Sequence, residues 1–185
     1  SHLARRAGGA LICDAAQSFG KAGVGAFTGF ADWLVVSSHK IGGPAGAGAL
    51  IAAPGADLRP DRYGGGQEGG ARPGTENLPA IAGFAAAADA ACRDAAVEAF
   101  QRATRAERDA FEAGVRAGAP DAIVVSEGSP RLANTSCVAL QGREAARQVM
   151  ALDLAGAAVS AGSACSSGKV KASRVLAAGG WAPDI

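Results

Sequence analysis

The sequence predicts an α/β protein: a mostly parallel sheet layered with helices, followed by a smaller α+β portion. Three observations carry this expectation. Short, continuous apolar runs at residues 10–13, 33–38 and 48–52 have the length and composition of strands in a sheet covered on both faces. A helical periodicity opens at Pro79 and runs towards Gly118. Beyond it, apolar runs and helical stretches alternate, and such alternation is satisfied by a sheet with helices packed on it.

Taken in order, residues 3–7 read as the end of a helix closed by Gly8-Gly9. The runs at 10–13, 33–38 and 48–52 follow as strands. Residues 53–78, rich in Gly, Pro and charge, read as one long loop, and a loop of that length inside a compact chain is usually functional or disordered. In the helical stretch, Ile81, Phe84, Ala88, Cys92, Ala95 and Ala99 recur at spacings of three and four and define one face. The stretch is long for a globular helix, which predicts a break between two helices and a domain junction there, with domains over 1–92 and 93–185. Residues 122–125 and 136–140 read as strands. Residues 143–154 read as a helix with Ala146, Val149, Met150 and Asp153 near its buried side, 157–160 as a short strand, and 172–178 as a last helix closed by Gly179-Gly180.

Composition narrows the functional classes. The 185 residues carry a formal charge of +1 with no run of Lys or Arg, so neither nucleic acid nor an anionic membrane is indicated as a partner. Aromatic residues, at 5%, are too sparse for base-stacking platforms. No apolar stretch is long enough to span a bilayer, and no signal peptide is visible. The four cysteines, Cys13, Cys92, Cys137 and Cys165, form no CxxC pair and no metal-ligand spacing, which fits a cytoplasmic protein with reduced thiols and no metal. The chain opens in a helix end without an initiator Met and stops without a terminal element, the pattern expected of a piece of a longer protein.

Four segments could carry chemistry. Ser37-Ser38-His39-Lys40 leaves the second strand at its carboxyl end, where α/β sheets bind ligands. A lysine there can form a Schiff base if it is desolvated, although a surface lysine at a strand exit is the commoner case. The glycine-rich residues 41–48 favour close approach of something bulky. Asp14-Ala15-Ala16-Gln17 leaves the first strand, and its carboxylate could partner a protonated pyridinium nitrogen, while Gln17 could bond a ring oxygen; an N-cap is the more frequent reason for such an Asp. If the two strands are parallel, Asp14 and Lys40 reach the same sheet edge. Residues 64–77 contain a formal G-x-G-x-x-G match, but without a strand before it or a helix beginning inside it, a dinucleotide site is rejected. Arg72 and Thr75 there are candidate phosphate or carboxylate ligands, against an equally common flexible linker. Finally, Cys165 lies among small polar residues at 160–168. Cys13 and Cys137 sit in apolar runs and Cys92 on a helix face, so Cys165 is the thiol expected to be exposed and reactive. His2 reads as solvated, and the sequon Asn134-Thr135-Ser136 is uninformative without a secretory signal.

Residues 14–21, residues 37–44, the 64–77 segment and Ser163-Ala164-Cys165-Ser166-Ser167 occur together, in this order, in cysteine desulfurases. The chain resembles these fold-type I enzymes of the class V aminotransferase group over nearly its whole length. The lysine segment alone is shared with other class V enzymes; the cysteine loop joined to Arg72-Pro73-Gly74-Thr75-Glu76-Asn77 is more specific and resembles the group serving iron–sulfur cluster assembly and related sulfur transfer. The resemblance implies the carboxyl-terminal half of a large pyridoxal 5'-phosphate (PLP) domain followed by a small domain bearing the catalytic cysteine loop. It implies that Lys40 is the Schiff-base residue, that Asp14 pairs with the pyridinium nitrogen and Gln17 with the ring oxygen, that Ser37 and His39 bind the phosphate, and that Thr75 reaches the phosphate of the partner subunit's cofactor in a homodimer. Cys165 is implied as the acceptor of sulfur from L-cysteine, with L-alanine released and the persulfide passed to a sulfur-acceptor protein.

The resemblance also implies parts that this sequence does not contain: an upstream portion with a histidine that stacks on the PLP ring, and a downstream arginine segment for the substrate carboxylate. Half a cofactor site predicts no turnover by these 185 residues alone. The alternatives are another class V PLP enzyme, such as an aminotransferase, or a non-catalytic fragment.

Overall fold

The computed structural model describes residues 2–23, 29, 31–162 and 173–181. It forms two compact units: Ser1–Glu107 with Leu132–Asn134, and Arg108–Arg131 with Thr135–Ile185.

The first unit begins with helix α1 (His2–Arg6), which closes through the Ala7 and Gly9 amides onto the Ala4 carbonyl. Three strands form its sheet in the order β1 (Ile12–Asp14), β2 (Trp33–Ser37) and β3 (Gly48–Ala52). The apolar runs predicted all three. β1 and β2 are parallel, with Asp14 opposite Val35, whereas β3 returns antiparallel to β2. Val36 is buried at the centre of this sheet. Ile12, Val35 and Leu50, which the register places on one face, are exposed, while Trp33 on the same face is half-buried with its indole nitrogen covered. Among the described residues the expected cover is therefore partial on this face.

β2 runs directly into a 3₁₀ helix (Ser38–Ile41) that ends at Gly42. Gly42 has a φ of 89°, a left-handed conformation that glycine adopts without steric cost, and its amide bonds the Ser38 carbonyl. Residues 53–77 contain a short turn segment, Gln67–Gly70, whose backbone is left-handed at Glu68 and Gly69. Helix α2 (Leu78–Ala91) then starts at Asn77, whose side chain accepts a hydrogen bond from the Ala80 amide, with Pro79 in the first turn, where its missing N–H costs nothing.

The expected break is present: α2 ends at Cys92, and α3 (Asp94–Gly118) restarts with the Ala96 and Val97 amides on the Arg93 carbonyl. The break resets the helical phase. Val97 is therefore the residue buried in the first turns of the new helix, and Ala95 and Ala99, expected to continue the α2 face, are exposed. Gln101 on α3 donates to the Lys21 carbonyl at 3.0 Å, tying the helix to the turn after β1.

The second unit contains the end of α3, the antiparallel pair β4 (Ala122–Val124) and β5 (Val138–Leu140), α4 (Ala145–Leu154) and α5 (Arg174–Ala178). Residues 157–160, expected as a strand, have no strand pairing and are coil. Of the four residues expected near the buried side of α4, only Val149 is partly covered; Ala146, Met150 and Asp153 are exposed. Periodicity identifies a face, but a neighbour must cover it, and none of the described elements does so here.

One charge cluster organises this unit. Glu112, on α3, is 3% exposed. Its two carboxylate oxygens accept from Arg131 Nη1 and Nη2 at 2.6 and 2.8 Å, and Ser136 Oγ adds a bond of 2.8 Å. Arg108 and Arg116 stand one turn away at 3.9 and 4.0 Å, and Arg116 also contacts Glu127. The Arg131 hydrogen bonds outweigh the cost of burial and, with Ser136, hold the Glu112 carboxyl down to about 2. The cluster thereby joins α3 to the connection between β4 and β5.

Glu112→Ala removes the hydrogen-bonded counter-charge of the largely buried Arg131, whereas Arg108 and Arg116 keep Asp109 and Glu127. It is expected to destabilise the protein by about 3 kcal/mol in denaturant unfolding. Because the folded carboxyl titrates below its usual value of 4.5, its stabilisation is complete above that pH and is lost as pH falls towards 2. The stability difference between wild type and Glu112→Gln should shrink over that window.

Candidate active site

The parallel pairing of β1 and β2 determines which side chains share an edge. The Ala15 amide continues the ladder onto the Val35 carbonyl at 2.9 Å. Asp14 therefore ends β1 beside the strand that leads into Ser37, Ser38, His39 and Lys40, at a strand spacing of roughly 4.8 Å. The sequence anticipated this juxtaposition, conditional on parallel strands.

At that edge Asp14 is exposed, and its Oδ1 accepts from the Ala16 amide at 3.0 Å. The capping role and a second role do not compete, because Oδ2 is a separate acceptor. Gln17, one turn on, accepts from Lys21 Nζ at 3.4 Å through Oε1, which leaves its NH₂ as a donor. Across the edge, Ser37 Oγ and His39 Nδ1 are 3.0 Å apart. When the hydroxyl donates to Nδ1, the ring proton lies on Nε2, which then faces outward as a donor suited to an anion. Lys40 is half-buried and has no ion-pair partner among the described residues. Thr75 is exposed on the 53–77 connection, and none of its described contacts ties it to this edge.

The lysine-bearing turn is held by packing. Gly83, Ala87 and Ala91 form a stripe of small residues at four-residue spacing on α2. A Cβ on Gly83 would lie 2.5 Å from Pro44 Cγ, one on Gly43 would lie 3.2 Å from Ala87 Cβ, and one on Gly20 would lie 2.9 Å from Ala91 Cβ. The α2 face that matters here is thus this stripe, and not the one through Ile81, which is 41% exposed. Ser38 is fully buried, its hydroxyl has no partner among the described residues, and a Cβ on Gly43 would stand 2.3 Å from its Oγ. Sequence reasoning gave Ser38 no role; its signal was the second of two serines at a strand exit.

The donor set at the edge is a primary amine, a carboxylate, a carboxamide and a hydroxyl–imidazole pair. It matches the chemistry of PLP, which presents an aldehyde, a pyridine nitrogen, a phenolic oxygen and a phosphate. Among the described residues no group of three or more His, Cys, Asp or Glu could hold a metal ion, and no helix is long and apolar enough to cross a membrane.

The thiols are arranged differently from expectation. Cys13 and Cys92 are half-buried, and burial, reinforced by Asp89, pushes the Cys92 thiol up, away from reactivity. Cys137, expected to be buried, is exposed and lies one residue before β5. Cys165 lies outside the described residues.

The model of the aminotransferase class-V family matches residues 1–178. The chain belongs to that family. It is 41% identical over 178 residues to a cysteine desulfurase of Cereibacter sphaeroides, a match covering 96% of this chain and 45% of the relative. Among solved structures it is similar to a NifS-like protein from Rickettsia africae, with a TM-score of 0.78 and 29% identity over 88% of this chain and 44% of that one. It is also similar to SspA in complex with cysteine, with a TM-score of 0.64 and 29% identity over 99% and 49%. The chain spans under half the length of the curated relatives it matches. The fold is therefore the mixed α/β architecture of these class-V proteins over about half of their length, as the sequence resemblance implied.

The packing around Lys40 makes two opposite expectations. Ser38→Ala removes an unpartnered buried hydroxyl and should stabilise the protein by about 1 kcal/mol. Gly43→Ala forces a methyl group against Ser38 and Ala87 and should destabilise it by about 2 kcal/mol, as read from thermal or denaturant unfolding.

Proposed function

We propose that the complete protein is a PLP-dependent cysteine desulfurase that converts L-cysteine to L-alanine and transfers the sulfur, through Cys165, to an acceptor protein. The observation that carries this reading is the parallel pairing of β1 and β2, which ends β1 at Asp14 on the same sheet edge from which β2 leads into the turn that bears Lys40. It is supported by class-V membership, by relatives that are cysteine desulfurases, and by a structural neighbour solved with cysteine.

In this reading Asp14 Oδ2 keeps a proton on the pyridine nitrogen, and the Gln17 amide donates to the ring oxygen. Ser37 and His39 hold the phosphate from one subunit and Thr75 from its partner in a homodimer. PLP, when bound, serves as the sink for the electron pair released at the substrate α-carbon. Lys40 would hold it and is the amine placed to move the proton at that carbon. The Cys165 thiolate attacks the substrate sulfur. The S–C bond to the substrate breaks, its electrons and a proton complete the methyl group of L-alanine, and Cys165 is left as a persulfide. The acceptor serves iron–sulfur cluster assembly or related sulfur transfer in the cytoplasm. The large cofactor-binding part corresponds to 1–92 and the small cysteine-bearing part to 93–185.

The test uses the full-length protein. Wild type should release L-alanine from L-cysteine and carry reductant-labile sulfur on Cys165. Cys165→Ala should lose both, and Lys40→Ala should slow turnover by roughly 10²- to 10⁴-fold. Undiminished turnover by Cys165→Ala, with amino transfer to a keto acid, would instead assign the protein to transamination.

A further inference from the structure

The connection between β3 and α2 contains a loop whose two sides close on each other. On one side are Gly64, Gly65 and Gln67, on the other Pro73 and Gly74. The Gly74 amide donates to Gln67 Oε1 at 3.3 Å across seven residues. Gly64 has no room for a side chain, since a Cβ there would lie 2.6 Å from Pro73 Cβ, and a Cβ at Gly65 would lie 2.5 Å from Gln67 Oε1 and push that carboxamide aside. The tip is a left-handed turn in which Glu68, Gly69 and Gly70 have φ values of 50, 64 and 84°. It is closed by the Gly70 amide on the Gly66 carbonyl at 3.2 Å and the Ala71 amide on the Glu68 carbonyl at 3.1 Å. A non-glycine residue costs roughly 1–2 kcal/mol in that conformation, so the tip is held against an intrinsic preference. Arg72 folds back over the same neck, with Nη1 donating to the Gly74 carbonyl at 3.1 Å. Thr75 follows immediately.

This is a built loop, unlike the flexible linker that glycine content alone suggests. The carboxamide of Gln67 is the side chain that joins its two sides, and Arg72 and Thr75, two residues before and one residue after the joined Gly74 amide, are those with anion-binding chemistry.

We propose that Gln67 is a positioning residue: by buckling the Gly74 amide it preforms the neck that presents Arg72 and Thr75 to the phosphate of PLP. The inference rests on the role given above to Thr75. Gln67 touches neither cofactor nor substrate. It lowers the cost of binding by removing loop freedom beforehand.

The test measures dissociation constants of PLP and of pyridoxal, which lacks the phosphate, for the apo form of the full-length protein. Gln67→Leu keeps the bulk of the side chain and removes the acceptor. It should weaken PLP roughly 3- to 10-fold, the range of one hydrogen bond, and leave pyridoxal unchanged. Gly65→Ala displaces the carboxamide and should do the same, and the double variant should be no worse than either single one. Wild-type PLP affinity in Gln67→Leu, or an equal loss for PLP and pyridoxal, overturns the proposal. Thr75→Ala separates the two levels. If it lowers the PLP-to-pyridoxal preference while Gln67→Leu does not, the positioning role alone fails; if it leaves that preference unchanged, the phosphate role of Thr75 fails and the inference with it.

Discussion

The close approach of α2 to the turn after β2 is the constraint on which the candidate site depends. Gly20, Gly43 and Gly83 leave no room for a Cβ between the helix, the 3₁₀ turn and the turn after β1. Protein interiors are packed too densely to absorb added methyl groups without displacement. The backbone bearing Lys40 is therefore fixed by contacts from α2 on one side and by the β2 ladder on the other. A reactive amine needs a stiff backbone beneath it more than it needs partners, since a lysine already committed to an ion pair is less available for bond formation. Lys40, half-buried and without an ion-pair partner among the described residues, has that combination.

The second unit is organised on the opposite principle. Glu112 is enclosed by Arg131 and Ser136, with Arg108 and Arg116 nearby, and the hydrogen-bonding capacity of its carboxylate is well used. Such a cluster specifies one arrangement of α3 against the β4–β5 connection and leaves no charge for chemistry. At the β1–β2 edge, by contrast, Asp14 spends one oxygen on a local amide and Gln17 one oxygen on Lys21, and both retain capacity facing out of the strand ends. The difference between satisfied and unsatisfied polar groups distinguishes the structural cluster from the candidate site.

Much of this was legible in the sequence because it is local. The runs at 10–13, 33–38 and 48–52 overlap β1, β2 and β3, the long helical stretch breaks into two helices, and the class-V resemblance of residues 14–21 and 37–44 agrees with the family match. What the sequence did not reveal depends on neighbours. Whether β3 runs parallel or antiparallel is a matter of connection, and its apolar composition is the same in either case. The stripe through Gly83, Ala87 and Ala91 is inconspicuous in an alanine-rich helix, where a periodicity argument favours Ile81 and Phe84, although small residues make the closest contacts. Met150 lies on a face that periodicity marks as apolar and that no described element covers. Gln67 is one polar residue between glycines until its bond to Gly74 is seen.

In the proposed function Lys40, at the strand edge it shares with Asp14, is the cofactor lysine. The chain has four lysines, Lys21, Lys40, Lys169 and Lys171, and Lys21 lies near the same edge through its bond to Gln17. Borohydride reduction of the PLP-loaded full-length protein, followed by peptide mass spectrometry, locates the attached pyridoxyl group. A single modified peptide is expected, with the label on Lys40. A label on Lys21, or one distributed over several lysines, would contradict it.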